Sequence, residues 1–203
     1  MPVEPTVFVV DDDQAVREAM RFRLQSAGLA VAVFGSATEF LDAYAPDQPG
    51  CLVLDVRMPG MSGLDLQNAL RENGINLPVI IITGHGDIAM AVRAVKAGAI
   101  DFLPKPLNDQ HLLRAIRQAM ELDGQRRAAR KESDALAARL DTLTPREREV
   151  MDLVVAGNTT KQIAATFGSS HQAVDAHRAR IMHKMHADSV AELVRLAVAL
   201  RPE

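Results

Sequence analysis

Tryptophan is absent, tyrosine occurs once, and aromatics make up only 3% of the 203 residues. A core built from this chain must therefore be packed mainly with Val, Ile, Leu, Met and Ala. The single cysteine, Cys51, cannot form an internal disulfide, and a thiolate zinc cluster is excluded. No apolar run approaches the roughly 18 residues of a membrane span. The N-terminus lacks the charged, apolar and small-residue regions of a signal peptide. The expectation is a soluble, cytoplasmic protein with no membrane partner. No Gly-x-Gly-x-x-Gly follows the first apolar run, which argues against a dinucleotide-dependent oxidoreductase. Charge of one sign is also scarce overall, at net −3, and by itself argues weakly against a nucleic-acid binder. Its distribution matters more. Between residues 158 and 187 the only acid is Asp175, set against Lys161, Arg178, Arg180 and Lys184, with four histidines able to add partial charge.

What the chain does contain is four short aliphatic runs, each ending in a polar residue. Thr6–Val10 runs into Asp11-Asp12-Asp13, Cys51–Leu54 into Asp55, Val79–Ile82 into Thr83, and Phe102–Pro104 into Lys105. Such runs, alternating with helical periodicity, read as buried strands of a parallel sheet. Ligands of these sheets bind outside the carboxyl ends of the strands, so the four polar positions gather at one edge. A further strand is predicted at Ala30–Phe34. Helices are predicted at 14–27, at 37–45 behind Ser36, at 63–72 behind Ser62, at 88–97, and from about Asn108. Five strands alternating with five helices over about 120 residues imply a doubly wound α/β domain with right-handed crossovers.

Residues 121–141, rich in Ala and balanced charge, favour a helical linker, either continuous with the preceding helix or a plain solvated spacer. From Leu143 onward strand signals vanish. Thr144-Pro145-Arg146-Glu147 is a helix start, with cap, Pro and acid in the right order. A short helix at 161–167, Gly168, and a longer basic helix from about His171 to Met185 form the pattern of a helix-turn-helix DNA reader. A final helix spans 190–200. The expected division is 1–120, 121–141 and 142–203.

Asp11, Asp12 and Asp55 in one pocket would repel one another unless a cation sits among them. Oxygen-only donors suit a hard divalent ion, Mg²⁺. With charge neutralised, one carboxylate can accept a phosphoryl group as an acyl phosphate, and Lys105 and Thr83 can bind the phosphoryl oxygens. Asp13 is either a further ligand or, better, the N-cap of the helix beginning at Gln14.

At these residues the chain resembles the receiver domains of two-component response regulators, across all of 1–120. The motif Leu54-Asp55-Val56-Arg57-Met58-Pro59-Gly60-Met61-Ser62-Gly63 matches the phosphoacceptor loop. Thr83-Gly84-His85-Gly86-Asp87-Ile88, taken with Lys105-Pro106, is similar to the FixJ subgroup. The resemblance implies that Asp55 is the phosphoacceptor and that Asp12, Asp55 and the Arg57 backbone carbonyl ligate Mg²⁺, with Asp11 acting mainly through water. It further implies that Thr83 and Phe102 switch, that Pro106 is cis, and that His85 is a surface loop residue.

Residues 142–203 resemble the LuxR-type helix-turn-helix module, through Leu143–Val150, Lys161-Gln162-Ile163-Ala164 and His177-Arg178-Ala179-Arg180-Ile181. That implies a four-helix bundle whose third helix enters the major groove. Ile163, Ala164, Val174, Ile181 and Met185 have core spacing. Gln172, Asp175, Ala176 and Ala179 face outward toward base edges, while Lys161, His177, Arg178, Arg180 and Lys184 are candidate phosphate contacts. Family members usually carry Asn where Thr160 stands and Thr where Ala173 stands; Thr160 is expected to cap its helix.

Together the two ends imply a regulator. A sensor histidine kinase phosphorylates Asp55, the receiver repacks, two copies dimerise, and promoter DNA is bound, with RNA polymerase a candidate partner. Two rivals stay open: a metal-dependent phosphatase or phosphotransferase working through an aspartyl phosphate, and a DNA binder independent of phosphorylation. Against the enzyme, Arg57 occupies the place two residues after Asp55 where a second acid/base would be needed.

Overall fold

Strands β1 (Thr6–Val10), β3 (Gly50–Asp55) and β4 (Val79–Thr83) are buried at every residue. Strands β2 (Ala30–Phe34) and β5 (Asp101–Pro104) are for the most part only partly covered. The reason is position. In this computed structural model, which describes residues 4–84 and 88–199, the five strands form one parallel sheet in the order β2-β1-β3-β4-β5. Central strands of such a sheet are covered on both faces and need unbroken apolar sequence, whereas edge strands do not.

The covering helices are α1 (Gln14–Ser26), α2 (Ala37–Ala43), α3 (Gly63–Glu72), α4 (Ile88–Lys96) and α5 (Asp109–Asp141). Met20 and Leu24 of α1 pack with Leu112, Ala115, Ile116 and Ala119 of α5 against Val7, Val9, Val53, Ile80 and Ile82. On the other face Phe40, Leu66, Leu70 and Ala94, from α2, α3 and α4, cover Phe8, Val10, Leu52, Leu54 and Ile81. Alternate residues of one strand thus feed two cores. Each fully buried Ile or Leu contributes about 1.5–3 kcal/mol of transfer free energy. The doubly wound α/β expectation is met.

The few aromatic residues are concentrated. Phe8, Phe34, Phe40 and Tyr44 form one cluster, with Phe8–Tyr44 centroids at 5.3 Å and 88°, and Phe34–Phe40 at 5.4 Å and 81°. These edge-on contacts each add about 0.5–1.5 kcal/mol beyond burial.

The chain divides into two compact units between Arg126 and Arg127, inside α5. The range 121–141 drawn as a linker therefore lies within one continuous helix, and its later part carries Leu136 into the core of the second unit. That unit adds α6 (Pro145–Val155), α7 (Thr160–Phe167), α8 (His171–Met185) and α9 (Val190–Ala199). Val150, Met151, Val154, Ile163, Val174, Ile181, Met185 and Leu193 fill its core. A capping box starts α6, with Thr144 Oγ1 accepting from Glu147 N (3.2 Å) and a Glu147 carboxylate oxygen accepting from Thr144 N (3.0 Å). Gly168, at φ 58°, makes the left-handed turn between α7 and α8 that any side chain would strain.

Candidate phosphoryl pocket and nucleic-acid interface

Sheet register assembles the first site. Val10 pairs with Leu54, and Thr83 with Pro104, so Asp11, Asp55, Thr83 and Lys105 emerge at the same edge. Asp11, Asp55 and Thr83 are all buried, Asp11 completely. The Lys105 ammonium lies 2.7 Å from Asp11 Oδ2 and 2.7 Å from Asp55 Oδ1. Its backbone N–H donates to the Thr83 carbonyl (2.8 Å), and the Lys105–Pro106 peptide is cis, as the resemblance implied. The remaining oxygens are engaged too. Arg57 N donates to Asp55 Oδ2 (2.7 Å), and Asp13 N to Asp11 Oδ1 (2.9 Å). Arg17 Nη1, which the sequence reading passed over, donates to the Asp11 carbonyl (2.7 Å).

Burial pushes the Asp55 carboxyl above its ordinary value, against the Lys105 hydrogen bond and charge that pull it down; the Asp11 charge adds to the rise. Burial alone would lower the Lys105 ammonium, but the hydrogen bonds to Asp11 and Asp55 outweigh it and hold it above the ordinary range. The directions are those of a cation clamped between two anions at a cost in desolvation. A carboxylate of raised basicity is also the better nucleophile once ionised.

Not every predicted residue joins this cluster. Asp12 is exposed and lines an open groove of about 970 Å³ together with Val56, Arg57, Met58, Ser62 and Arg71. Phe102 is half-buried and packs against the core on the α2–α3–α4 face. Asp13 caps α1, accepting from Ala15 N (2.8 Å) and Val16 N (3.4 Å), which settles its role in favour of capping. His85 lies outside the described residues. Among the described residues, no three acidic, histidine or cysteine side chains already converge as an ion cluster. The donor chemistry nevertheless suits a hard cation: the donors are oxygens, and two of the carboxylates already face the Lys105 ammonium.

The second site lies on α7 and α8. Gln172, Asp175, Ala176 and Ala179 are exposed along α8, as their spacing predicted, and Lys161 is exposed on α7 without a partner among the described residues. The other cations are tied down within the unit. Lys184 Nζ lies 2.6 Å from Glu147 Oε2 and donates to the Thr142 carbonyl (2.9 Å). Arg180 Nε lies 3.2 Å from Glu147 Oε1, and its Nη2 donates to His177 Nδ1 (3.0 Å), which requires that nitrogen to be unprotonated. The Lys184 hydrogen bond, chiefly, depresses the Glu147 carboxyl to about 2. Sequence reasoning saw Glu147 only as a helix-start acid. Its cationic partners are more than 30 residues away, so no local signal marked the pairing.

Thr160 corrects another expectation. The cap of α7 is Thr159, whose Oγ1 accepts from Gln162 N (3.3 Å). Adjacent threonines offered two candidates, and the register of the first turn selected the earlier. Thr160, released from capping, donates from Oγ1 to Asp175 Oδ1 (3.1 Å) and accepts from Arg178 Nη1 (3.3 Å).

Comparison with known proteins assigns each of the two units to a family. Residues 7–117 match the family described as "Response regulator receiver domain", and residues 141–197 match "Bacterial regulatory proteins, luxR family". Nodulation protein W of Bradyrhizobium diazoefficiens is 48% identical over 194 residues, covering 96% of this chain and 86% of its own. Transcriptional regulatory protein FixJ of Rhizobium meliloti is 47% identical over 195 residues, covering 96% and 95%. The solved structure of the response regulator StyR superposes with a TM-score of 0.91 at 49% identity, covering 97% of this chain and 99% of that one. The chain belongs to the FixJ-type response regulators, transcriptional regulators that carry a receiver domain followed by a LuxR-type DNA-binding domain.

Proposed function

We propose that Asp55 is the phosphoacceptor and that its phosphorylation by a sensor histidine kinase controls binding of promoter DNA. The observation that carries this reading is the Lys105 ammonium held 2.7 Å from both Asp11 and Asp55 at the carboxyl edge of the sheet. In the transfer, an Asp55 carboxylate oxygen attacks the phosphorus of a phosphohistidine. The P–O bond forms, the P–N bond breaks, and the imidazole leaves as a neutral base after taking up a proton. Lys105, already paired with Asp55, turns its charge to the phosphoryl oxygens, and the Thr83 hydroxyl donates to one of them. Asp11, Asp12, Asp55 and the Arg57 backbone carbonyl would hold Mg²⁺, which supplies charge neutralisation at the same oxygens.

Moving Thr83 toward the phosphoryl group vacates space that Phe102 fills, and the face around α4, β5 and α5 repacks. Only a state whose contacts differ in energy can shift a population, so the repacked face must bind something better; a second copy of the chain is the occupant we assign. Dimerisation then places two LuxR-type modules on half-sites about one helical turn apart, and joint binding exceeds that of either alone. At the DNA, Lys161 and Arg178 serve phosphates, and Gln172, Asp175 and Ala176 face base edges. His177, Arg180 and Lys184 act chiefly by fixing α8 from within. RNA polymerase is the partner of the bound dimer. The working domains are 1–120, a helical connection over 121–141, and 142–203, in the cytoplasm.

The test is Asp55→Asn. With acetyl phosphate and Mg²⁺, the wild-type chain gains an acid-labile +80 Da adduct (about the mass of one phosphoryl group), dimerises and tightens on its operator. The D55N chain does none of these. Retained phosphodonor-dependent affinity in D55N removes Asp55 from the scheme.

A further inference from the structure

Thr160 does not cap its helix, because Thr159 does. Its hydroxyl instead joins two residues of α8. It donates its one proton to Asp175 Oδ1 at 3.1 Å and accepts from Arg178 Nη1 at 3.3 Å. One donor proton and two lone pairs make this arrangement complete on the donor side. The polarity runs in one direction, from guanidinium through hydroxyl to carboxylate, so each bond strengthens the next.

We infer that Thr160 is a positioning residue for base recognition, fixing the exposed Asp175 carboxylate so that its free oxygen reads an exocyclic amine, cytosine N4 or adenine N6, in the major groove. This rests on the DNA-binding reading above. Asp175 is exposed, on the same face of α8 as Gln172 and Ala176. With Oδ1 held by Thr160, Oδ2 has no partner among the described residues and is the acceptor left to face the groove. Cytosine and adenine offer amine donors there. Guanine and thymine present acceptors at the corresponding positions, O6 and O4, and are repelled by a carboxylate. An acid beside a phosphate backbone is otherwise unfavourable. Arg178, on the same hydroxyl, supplies the compensating charge, and its remaining N–H groups stay available to a phosphate. A flexible, untethered Asp175 would lose entropy on reading a base; the Thr160 bond removes most of that freedom before DNA arrives.

The experiment selects sites from a randomised duplex pool with the full chain plus phosphodonor, then measures single-base variants of the selected operator. Wild type is expected to prefer cytosine or adenine at one position in each half-site, by about 5- to 10-fold, the lower range for one directed contact. T160V, which keeps shape and removes the hydroxyl, is expected to bring that ratio near one while leaving other positions unchanged; T160S restores it. D175A, at an exposed residue of α8, loses the same preference, and adding T160V to it changes nothing further. The inference is overturned if T160V selects the same base with the same ratio, or if its losses spread over all positions and T160S fails to rescue. It is also overturned if D175A alters a different position. A wild-type chain that binds no DNA even at low salt overturns the DNA-binding reading itself, and the inference with it.

Discussion

Replacing Gly63 by alanine should damage phosphorylation of Asp55, although no atom of Gly63 belongs to the pocket. Gly63 is the first residue of α3, behind the Ser62 cap, and its N–H donates to the Val56 carbonyl at 3.0 Å. A methyl group there would intrude on the Asp55 carbonyl oxygen and stand 3.0 Å from its carbonyl carbon and 3.1 Å from Leu54 Cγ. Carbon contacts are comfortable at about 3.5–4.0 Å, so the strand end and the helix start must separate by roughly 1 Å. Either way the Asp55 carboxylate shifts against Lys105, now 2.7 Å away. A displacement of that size costs on the order of 10²-fold in a reaction that depends on positioning. The overpacking itself costs about 1–3 kcal/mol. Helix propensity predicts the opposite sign, since alanine gains about 1 kcal/mol over glycine inside a helix. The assay is the rate of adduct formation with acetyl phosphate and Mg²⁺, followed by intact mass, alongside a thermal melt of the same sample. A G63A chain that is phosphorylated at the wild-type rate and melts no lower would refute the close-approach argument.

The pH dependences of the two units should run in opposite senses. Asp55, raised by burial, contributes stability that is present below about pH 3.8 and is lost as pH rises through its folded value, so D55N should raise the receiver's melting temperature at pH 7; a lowered melt would show the ionised form to be the stabilised one. Glu147, depressed to about 2, contributes stability that is present above about pH 4.5 and is lost as pH falls toward 2. Discounted for the solvent around half-exposed Arg180, the loss is about 1 kcal/mol. Amide exchange in α6 and α8, corrected for intrinsic rates, should show it in wild type and not in E147Q; persistence in E147Q would assign it to another acid. Lys161→Ala should lower the slope of log affinity against log salt by about one phosphate's worth. Lys184→Ala should instead loosen α8 and leave the slope unchanged, because that ammonium is already held by Glu147; equal slope changes would contradict the division between the two lysines.

Aliphatic runs ending in Asp11, Asp55, Thr83 and Lys105 were enough to foresee a parallel sheet with one polar edge, because strand burial on both faces leaves unbroken apolar runs in the sequence. The helix caps at Ser62 and Thr144 were equally legible, since a Ser or Thr just ahead of a helical stretch is a local signal. Side-chain pairings across helices were not. Arg180 and Lys184 look like surface cations of a DNA reader until Glu147 is brought beneath them. Asp12 and Asp11 are adjacent in sequence, yet one is exposed and the other sealed under Lys105, because consecutive residues leaving a strand point opposite ways. Thr159 and Thr160 differ by a single register step that decides which hydroxyl caps α7 and which is free to reach Asp175.

The concentration of rings at Phe8, Phe34, Phe40 and Tyr44 has a practical corollary. With no tryptophan anywhere and its only tyrosine in that corner, the chain's ultraviolet emission reports a single neighbourhood between β1, β2 and α2. An unfolding curve recorded by that light follows the receiver and is blind to the helix-turn-helix module. A reporter tryptophan at Phe167, whose ring already lies 3.4 Å beneath the Arg146 guanidinium, would give the silent half a voice of its own.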